Sequence, residues 1–164
     1  MSRAVLSLGS NLGDRLEHLR LAVRGLREVL LTASSVYETA PWGVTDQPDF
    51  LNAVLLVESA ADDEWDWLRR AQHLEREAER RRERRWGPRT LDVDVVTVDE
   101  VHSRDPELLL PHPGTPERAT VLIPWLEIEP EATLPGHGAV SELLAALPET
   151  ETAGVRLRPD LALR

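Results

Sequence analysis

The chain has no cysteine, so no disulfide or cysteine-ligated zinc can stabilise its fold. It needs neither, because 164 residues suit one domain that buries roughly 70% of its unfolded surface. No apolar stretch approaches the ~20 residues that span a bilayer. The N-terminus, MSRAVLSLGSN, also lacks the pattern of a secretory signal. We therefore expect a single domain over residues 1–164, located in the cytoplasm.

Lysine is also absent, since all 19 basic residues are arginine. This excludes a P-loop and Schiff-base chemistry, both of which require lysine. Seven of the arginines fall between Arg76 and Arg89 beside three glutamates, giving that window +4 and leaving −14 on the rest of the chain. An acidic body disfavours general nucleic-acid binding. A local arginine cluster instead favours a compact anion such as a phosphate chain.

The apolar patterns predict six main elements. In chain order these are a strand over 3–8, a helix capped by Asn11 and apolar as far as Leu30, strands over 32–39 and 50–57, a helix capped by Asp62, and a strand over 91–98. This β-α-β-β-α-β order predicts an α+β, ferredoxin-like sandwich with a mostly antiparallel sheet. Short C-terminal helices near 116–128 and 139–147 would let helices cover both faces.

Asp92 and Asp94 stand at i and i+2 on the last predicted strand, so their carboxylates share one face of the sheet. Two adjacent anions there are costly unless a cation neutralises them. Oxygen ligands of this kind favour Mg²⁺ together with substrate phosphates. The alternative is an exposed strand end or pairing with arginine. Arg89, placed just before by the Gly87-Pro88 turn, is consistent with either interpretation.

Three further groups of residues have both functional and structural interpretations. The arginine run from Glu79 to Arg85 is either a solvated helix surface or a source of phosphate ligands. His112 lies between two prolines, which would fix an imidazole for a phosphate or simply shape a loop. The segment over 39–52 supplies Trp42, Phe50 and Asn52, which could clamp a flat heterocycle or belong to the core and its loop.

Four segments together are similar to one known family. They are LSLGSNLGDR (6–15), YETAPWGVTDQPDFLN (37–52), RWGPRTLDVDVV (85–96) and LPHPGTPERATVLIPW (110–125). In order and spacing the chain resembles the 6-hydroxymethyl-7,8-dihydropterin pyrophosphokinases of folate biosynthesis. The resemblance implies an α/β sandwich that transfers the diphosphate of ATP to the hydroxymethyl oxygen of the pterin and releases AMP. It also implies two Mg²⁺ ions, small-molecule substrates, and neither nucleic acid nor membrane as a partner.

The resemblance assigns roles residue by residue. Asp92 and Asp94 match magnesium ligands. The positions that match the ATP site are Glu75, Arg80, Arg82, Arg89, His112 and Arg118. The positions that match the pterin site are Gly9, Thr39, Pro41, Trp42, Phe50, Asn52 and Trp86. The resemblance makes five of these residues catalytic, namely Arg80, Arg82, Arg89, Asp92 and Asp94, with Arg80 and Arg82 on a loop that closes over ATP. No long apolar face is evident, so we expect a monomer.

The chain departs from the family pattern at two positions. Thr120 stands where members usually carry an aromatic residue that stacks on the pterin, and Trp125 is a candidate to replace it. Glu79 stands where glycine is common before the mobile loop. Two alternatives to catalysis stay open. One is a nucleotide- or RNA-binding module that uses the arginine run, and the other is a non-catalytic relative with the same fold.

Overall fold

The computed structural model describes residues 1–40, 47–80 and 90–163, without the side chain of Arg80. Its strands are β1 (Ser2–Ser10), β2 (Leu30–Ala33), β3 (Tyr37–Thr39), β4 (Phe50–Ser59), β5 (Asp92–Val98), β6 (Ser103–Asp105), β7 (Leu108–Leu110), β8 (Thr133–Leu134), β9 (Gly138–Ala139) and β10 (Arg156–Leu157). Its α-helices are α1 (Arg15–Gly25), α2 (Glu64–Arg80), α3 (Ala119–Ile128), α4 (Val140–Ala145) and α5 (Glu149–Ala153). None of these helices is long and apolar enough to cross a membrane.

The main sheet is antiparallel and has the order β10-β3-β4-β1-β5, with β2 pairing a second part of β4. β4 separates β1 from β3, and β1 separates β4 from β5. Each βαβ unit is therefore split by a strand of the other, which is the ferredoxin-like arrangement. The predicted α+β class and the antiparallel sheet are confirmed, and β4 lies at the centre of the sheet.

Helices pack on both faces of this sheet. On one face, α1 and α2 bury a core that includes Leu6, Leu55 and Trp67. On the other, α3 and α4 cover a smaller core that includes Val54 and Trp125. The C-terminal helices therefore complete a second layer, and it is on their side of the sheet that polar residues interrupt the apolar pattern.

The two predicted helix caps are wrong by one to three residues. The N-cap of α1 is Asp14, whose carboxylate accepts the Glu17 backbone N–H at 3.2 Å. Asn11 instead donates through Nδ2 to Oε1 of Gln47 at 3.2 Å. Gly13 has φ +68°, which turns the chain before the helix begins.

At the start of α2, Asp63 rather than Asp62 caps the helix. Asp63 and Asp66 each accept the other's backbone N–H at 2.9 Å, a reciprocal capping arrangement. Asp62 accepts from Nε of Arg70 at 2.5 Å instead.

The predicted strand over 32–39 is two strands, β2 and β3, because Ser34 turns inward and its Oγ accepts the Val54 N–H at 2.9 Å.

The C-terminal tail contains more structure than its sequence indicates. β10 pairs with β3, which sets Arg156 opposite Glu38. The tail thus adds an edge strand to the sheet beside the polar end of β4.

Candidate active site

Strand register creates a polar row at one end of the sheet. Gly9 on β1 is opposite Asn52 of β4 on one side and Asp92 of β5 on the other. Two residues earlier, Ser7 is opposite Asp94. Because Val93 and Val95 belong to the core under α1 and α2, both aspartates face the opposite side, as the period of two predicts.

Arg118 connects β5, the carboxylate strand that carries Asp92 and Asp94, to the layer formed by α3 and α4. It occupies the N-cap position of α3, directly after a short 3₁₀ turn over Thr115–Glu117. Its Nη1 lies 3.9 Å from Oδ2 of Asp94, and the two side chains are 43% and 37% exposed. The pair is half-exposed, so incoming anions and cations can reach it.

Hydrogen bonds from residues of β3 and the segment before it fix the position of α3 against the sheet. Tyr37 Oη donates to Oε1 of Glu127 at 2.5 Å, and Ser35 donates to the same carboxylate through its backbone N–H and its hydroxyl. Burial, and then the bond to Glu127, raise the pKa of Tyr37. Tyr37 therefore stays neutral and keeps donating, which ties the C-terminal end of α3 to β3 and the residues just before it.

Backbone hydrogen bonds hold His112 beside β5. Its N–H donates to the Val96 carbonyl at 2.8 Å, and Thr115 Oγ1 donates to its carbonyl at 2.6 Å. Its Nδ1 lies 2.9 Å from the Pro113 carbonyl oxygen. A carbonyl only accepts, so Nδ1 carries the hydrogen and Nε2 is the ring atom left to meet a ligand.

Glu75 reaches the carboxylate strand from α2. Its Oε2 accepts the backbone N–H of Val93 at 3.0 Å. Val93 lies between Asp92 and Asp94, so this bond places a third carboxylate beside the strand. This contact places Glu75 beside the strand of the acidic pair, and its role toward a nucleotide stays a prediction.

A cavity of about 840 Å³ lies beside this cluster. It brings together Thr39, Phe50 and Asn52 of the predicted pterin site with Arg118 and Thr120. Asn52 Nδ2 donates to Thr39 Oγ1 at 2.9 Å, which orients the amide. This leaves the amide oxygen to accept from the edge of a heterocycle.

Gly9 lies beside two residues that line this cavity, Asn52 and Phe50, although it is not itself a lining residue. A Cβ at this position would lie 3.6 Å from Oδ1 of Asn52 and 3.8 Å from Cδ1 of Phe50, in ordinary van der Waals contact. The glycine therefore keeps the row between Asn52 and Asp92 open. A longer side chain would occupy the space above it.

Six of the predicted site positions lie outside the described residues. They are Pro41, Trp42, Arg82, Trp86, Arg89 and the side chain of Arg80. Trp125, the candidate replacement for the missing stacking ring, is buried in the α3 core and donates to Glu129 Oε1 at 2.9 Å. It does not line the cavity, so that expectation is wrong, and Thr120 itself occupies the wall.

Other lining residues were missed by the sequence reasoning. They are Ala40, Gly114, Glu117 and Ala119, together with Thr150, Glu151, Gly154 and Val155 from the tail. The first four lie close in sequence to predicted site residues, which could have identified them. The last four do not, because their position at the cavity depends on the pairing of β10 with β3.

A buried polar network fixes the start of β5. Ser10 Oγ donates to the Thr90 carbonyl and lies 3.3 Å from Nδ1 of His18. Burial lowers the pKa of His18, although the nearby Asp14 and Glu17 oppose the effect. The neutral imidazole thus joins α1 to the residue two positions before Asp92.

The carboxylate oxygens of Asp92 and Asp94 are suitable ligands for magnesium. In residues 1–40, 47–80 and 90–163 no group of three or more His, Cys, Asp or Glu side chains is arranged to hold a metal ion. Two carboxylates on one face are nevertheless what Mg²⁺ uses when substrate phosphates and water complete its shell. Asp92 and Asp94 therefore fit a metal that arrives with an anionic substrate.

Similarity to known proteins extends over most of the chain. Residues 5–130 match the family model described as 7,8-dihydro-6-hydroxymethylpterin-pyrophosphokinase (HPPK). The 2-amino-4-hydroxy-6-hydroxymethyldihydropteridine pyrophosphokinase of Mycobacterium tuberculosis H37Rv is 47% identical over 99% of this chain and 94% of its own length. The Bacillus subtilis protein of the same name is 40% identical over 79% of this chain and 82% of its own length.

Among solved structures, wild-type HPPK-DHPS of Plasmodium falciparum has a TM-score of 0.67 at 14% identity, covering 88% of this chain and 44% of that longer one. A second HPPK-DHPS structure, in complex with substrates, has a TM-score of 0.68 at 13% identity over 88% of this chain and 43% of its own. At such identity these two matches show the fold alone. The family match and the curated relatives go further: the chain belongs to the 7,8-dihydro-6-hydroxymethylpterin-pyrophosphokinase family.

Proposed function

We propose that this chain, as a member of that family, transfers the diphosphate of ATP to the hydroxymethyl group of 6-hydroxymethyl-7,8-dihydropterin and releases AMP in folate biosynthesis. The carrying observation is that Arg118 lines the cavity containing Thr39, Phe50 and Asn52 while its guanidinium lies 3.9 Å from Asp94. One residue thus joins a pocket for a flat heterocycle to an acidic pair suited to ATP·Mg²⁺.

On the pterin side, the sheet supplies shape and hydrogen bonds. Phe50 offers a ring for stacking, and the amide oxygen of Asn52 accepts from the pterin's amino edge. Thr39 keeps that amide in orientation. Gly9 leaves room beneath the ring, and by resemblance Pro41, Trp42 and Trp86 complete the pocket.

On the phosphate side, Asp92 and Asp94 would hold two Mg²⁺ ions. When bound, these ions neutralise phosphate charge and help to align the triphosphate. Arg118 and His112 contact phosphate oxygens, and Glu75 supports the strand from α2. By resemblance, Arg89 adds a fixed guanidinium, while Arg80 and Arg82 reach the triphosphate from a closing loop.

The reaction needs alignment more than base strength, because phosphoryl transfer passes through a loose transition state. The hydroxymethyl oxygen forms a bond to the β-phosphorus, and the bond from that phosphorus to the α,β-bridging oxygen breaks. AMP leaves with that oxygen, and the alcohol proton passes to solvent. The chain holds the alcohol against the triphosphate, and its arginines balance the charge as it shifts.

The remaining features of the proposal concern the protein as a whole. Residues 1–164 act as one catalytic domain, monomeric and cytoplasmic. Nucleic acid is not a partner, since the net charge of −10 repels a phosphate backbone and a small triphosphate is the better match for a local arginine cluster. Size-exclusion chromatography with light scattering tests the monomer.

Product identification tests the activity. The protein is incubated with ATP, Mg²⁺ and 6-hydroxymethyl-7,8-dihydropterin, and the products are separated by anion-exchange chromatography and mass spectrometry. We expect AMP and the pterin diphosphate in equal amounts, with neither formed when the pterin is omitted or EDTA is added. ADP with a pterin monophosphate, or tight binding of both substrates without turnover, would contradict the proposal.

A further inference from the structure

The far side of the cavity is built from the C-terminal tail. Four residues of α5 and the turn that follows it line the same space as Asn52. They are Thr150, Glu151, Gly154 and Val155. These positions lie beyond residue 130, where the family match ends. The C-terminal wall, defined as residues 149–157, thus lies outside the part of the chain that the family model matches.

Backbone pairing and ion pairs attach this wall to the floor of the cavity. β10 pairs with β3 so that Arg156 is opposite Glu38. Arg156 Nη2 lies 2.8 Å from Oδ2 of Asp49, and the backbone N–H of Arg158 donates to the Val36 carbonyl at 2.8 Å. The wall is therefore tied to both strands that carry the floor.

Glu38 is the centre of this attachment. One oxygen accepts from Arg158 Nη1 at 2.7 Å, the other from Arg15 Nη1 at 2.7 Å, and Arg156 lies 3.8 Å away. The Glu38 side chain is only 12% exposed. The bond from Arg15, followed by the one from Arg158, lowers the pKa of Glu38, so the carboxylate is charged at neutral pH.

The two acidic anchors directly precede the floor residues in the chain. Glu38 is followed by Thr39, and Asp49 is followed by Phe50. Arg15 adds a further constraint, since its Nη1 also donates to the Asp49 carbonyl at 2.8 Å. A shift of the wall would therefore be transmitted to the residues that hold the heterocycle.

We propose that the C-terminal wall, residues 149–157, is a substrate-contacting part of the pterin pocket, positioned by the Glu38–Arg158 ion pair. The proposal rests on the proposed function for the identity of the ligand. The wall faces the cavity with Gly154 and Val155, across from floor residues on β3 and β4. In this position it limits the size of the heterocycle that the cavity accepts.

Gly154 gives a direct test, because its backbone accepts a side chain. Its φ is −77°, and an added Cβ would meet nothing closer than two carbonyl oxygens at 3.9 Å. Gly154→Leu should therefore fold normally and add bulk to the cavity. Ala153→Leu is the matched control, since Ala153 is the exposed neighbour and does not line the cavity.

Both variants are titrated with 6-hydroxymethylpterin by fluorescence, in the presence of Mg²⁺ and a non-hydrolysable ATP analogue. Gly154→Leu should raise the pterin Kd roughly tenfold or more, because a few extra carbons in a fitted pocket discriminate on that scale. The affinity for the ATP analogue should not change. Equal pterin affinities for Gly154→Leu and Ala153→Leu would overturn the wall as a contact surface.

Arg158→Ala tests the positioning role, with Arg69→Ala as the control for losing an exposed ion pair. We expect Arg158→Ala to raise the pterin Kd roughly 2- to 30-fold while the affinity for the ATP analogue holds. Arg158→Lys should restore part of the loss. A fall in Tm with an unchanged pterin Kd would assign Arg158 to stability alone and overturn the positioning role.

These titrations separate the two proposals. A wild-type protein that binds the pterin but forms no AMP contradicts the proposed activity, and the Gly154→Leu titration still decides the wall. If the wild-type protein forms AMP and pterin diphosphate while Gly154→Leu binds the pterin with wild-type affinity, only the proposal for the C-terminal wall is contradicted. Failure of the wild-type protein to bind the pterin contradicts both.

Discussion

Nη1 of Arg118 lies 3.9 Å from Oδ2 of Asp94, although the two residues are on different layers of the fold. Asp94 is on the sheet, and Arg118 is at the N-cap of a helix that packs over it. The separation exceeds that of a direct hydrogen bond, and both groups are half-exposed. Such a pair can open to admit a phosphate between the guanidinium and a cation on the carboxylate.

Asp94→Asn should remove turnover and leave the fold intact. The substitution removes one of two charges that would hold the metal, so we expect kcat to fall at least roughly 10²–10³-fold. Because Asp94 is half-exposed, the free energy of unfolding should change by no more than about 0.5 kcal/mol. AMP release and thermal unfolding measure the two effects. Asp105→Asn, on the exposed β6–β7 hairpin, is the control, and a near-normal rate for Asp94→Asn would refute the metal assignment.

Arg118→Ala should weaken the binding of both substrates, because the side chain lines the cavity and approaches Asp94 on β5. We expect kcat/KM to fall roughly 10²-fold, with Arg118→Lys recovering only part of it because lysine is a point charge. Steady-state kinetics with each substrate varied in turn measure this. Arg24→Ala, which removes an exposed pair with Glu17, should behave as wild type. A loss confined to one substrate would argue against a bridging role.

The main sheet was predictable because its long strands carry strong local patterns. β4 is apolar on both faces beyond Asn52, as a central strand requires, and β5 alternates aspartate with valine. The cap of α1 was not predictable, because Asn11 and Asp14 are both good N-caps by type. The choice depends on a bond from Asn11 to Gln47, which is distant in sequence.

The site was predictable where strand period or motif spacing determines it. Asp92 and Asp94 share a face by the period of two, and Arg118 follows the motif that contains His112. The C-terminal wall was not predictable, because a two-residue strand such as β10 has too short a pattern to detect. Its partner Glu38 lies more than a hundred residues earlier, and only the folded sheet brings them together.

Thr39→Val should impair pterin binding through Asn52. Valine keeps the shape of threonine but cannot accept the bond from Asn52 Nδ2, and Thr39 is only 7% exposed. An unpaired amide group in such a place costs about 1–3 kcal/mol, so we expect the pterin KM to rise roughly 5- to 100-fold while the KM for ATP holds. Thr39→Ser retains the hydroxyl and is the control. Equal pterin KM values for Thr39→Val and Thr39→Ser would show that the hydrogen bond from Asn52 to Thr39 does not orient the amide.

Thr120→Phe should tighten pterin binding by restoring an aromatic ring to the cavity wall. Ring stacking adds about 0.5–1.5 kcal/mol, so the pterin Kd should fall roughly 2- to 10-fold. Fluorescence titration with Mg²⁺ and an ATP analogue measures it. Thr120→Leu adds apolar bulk without a ring, and an equal gain from leucine would show that stacking is not the cause.

His18 should make the stability of the fold depend on pH. Burial lowers its folded pKa below the ordinary 6.5, so the unfolded chain binds a proton more readily than the folded one. Its contribution is therefore complete above about pH 6.5 and is lost progressively as the pH falls from there toward the folded pKa. Thermal unfolding between pH 5 and 7.5 should show Tm decreasing on acidification, and His18→Gln should flatten that slope. The exposed His137 has no such burial, so His137→Gln should retain the wild-type slope. If His18→Gln also retained it, protonation of the His18–Ser10–Thr90 network would not be what destabilises the start of β5.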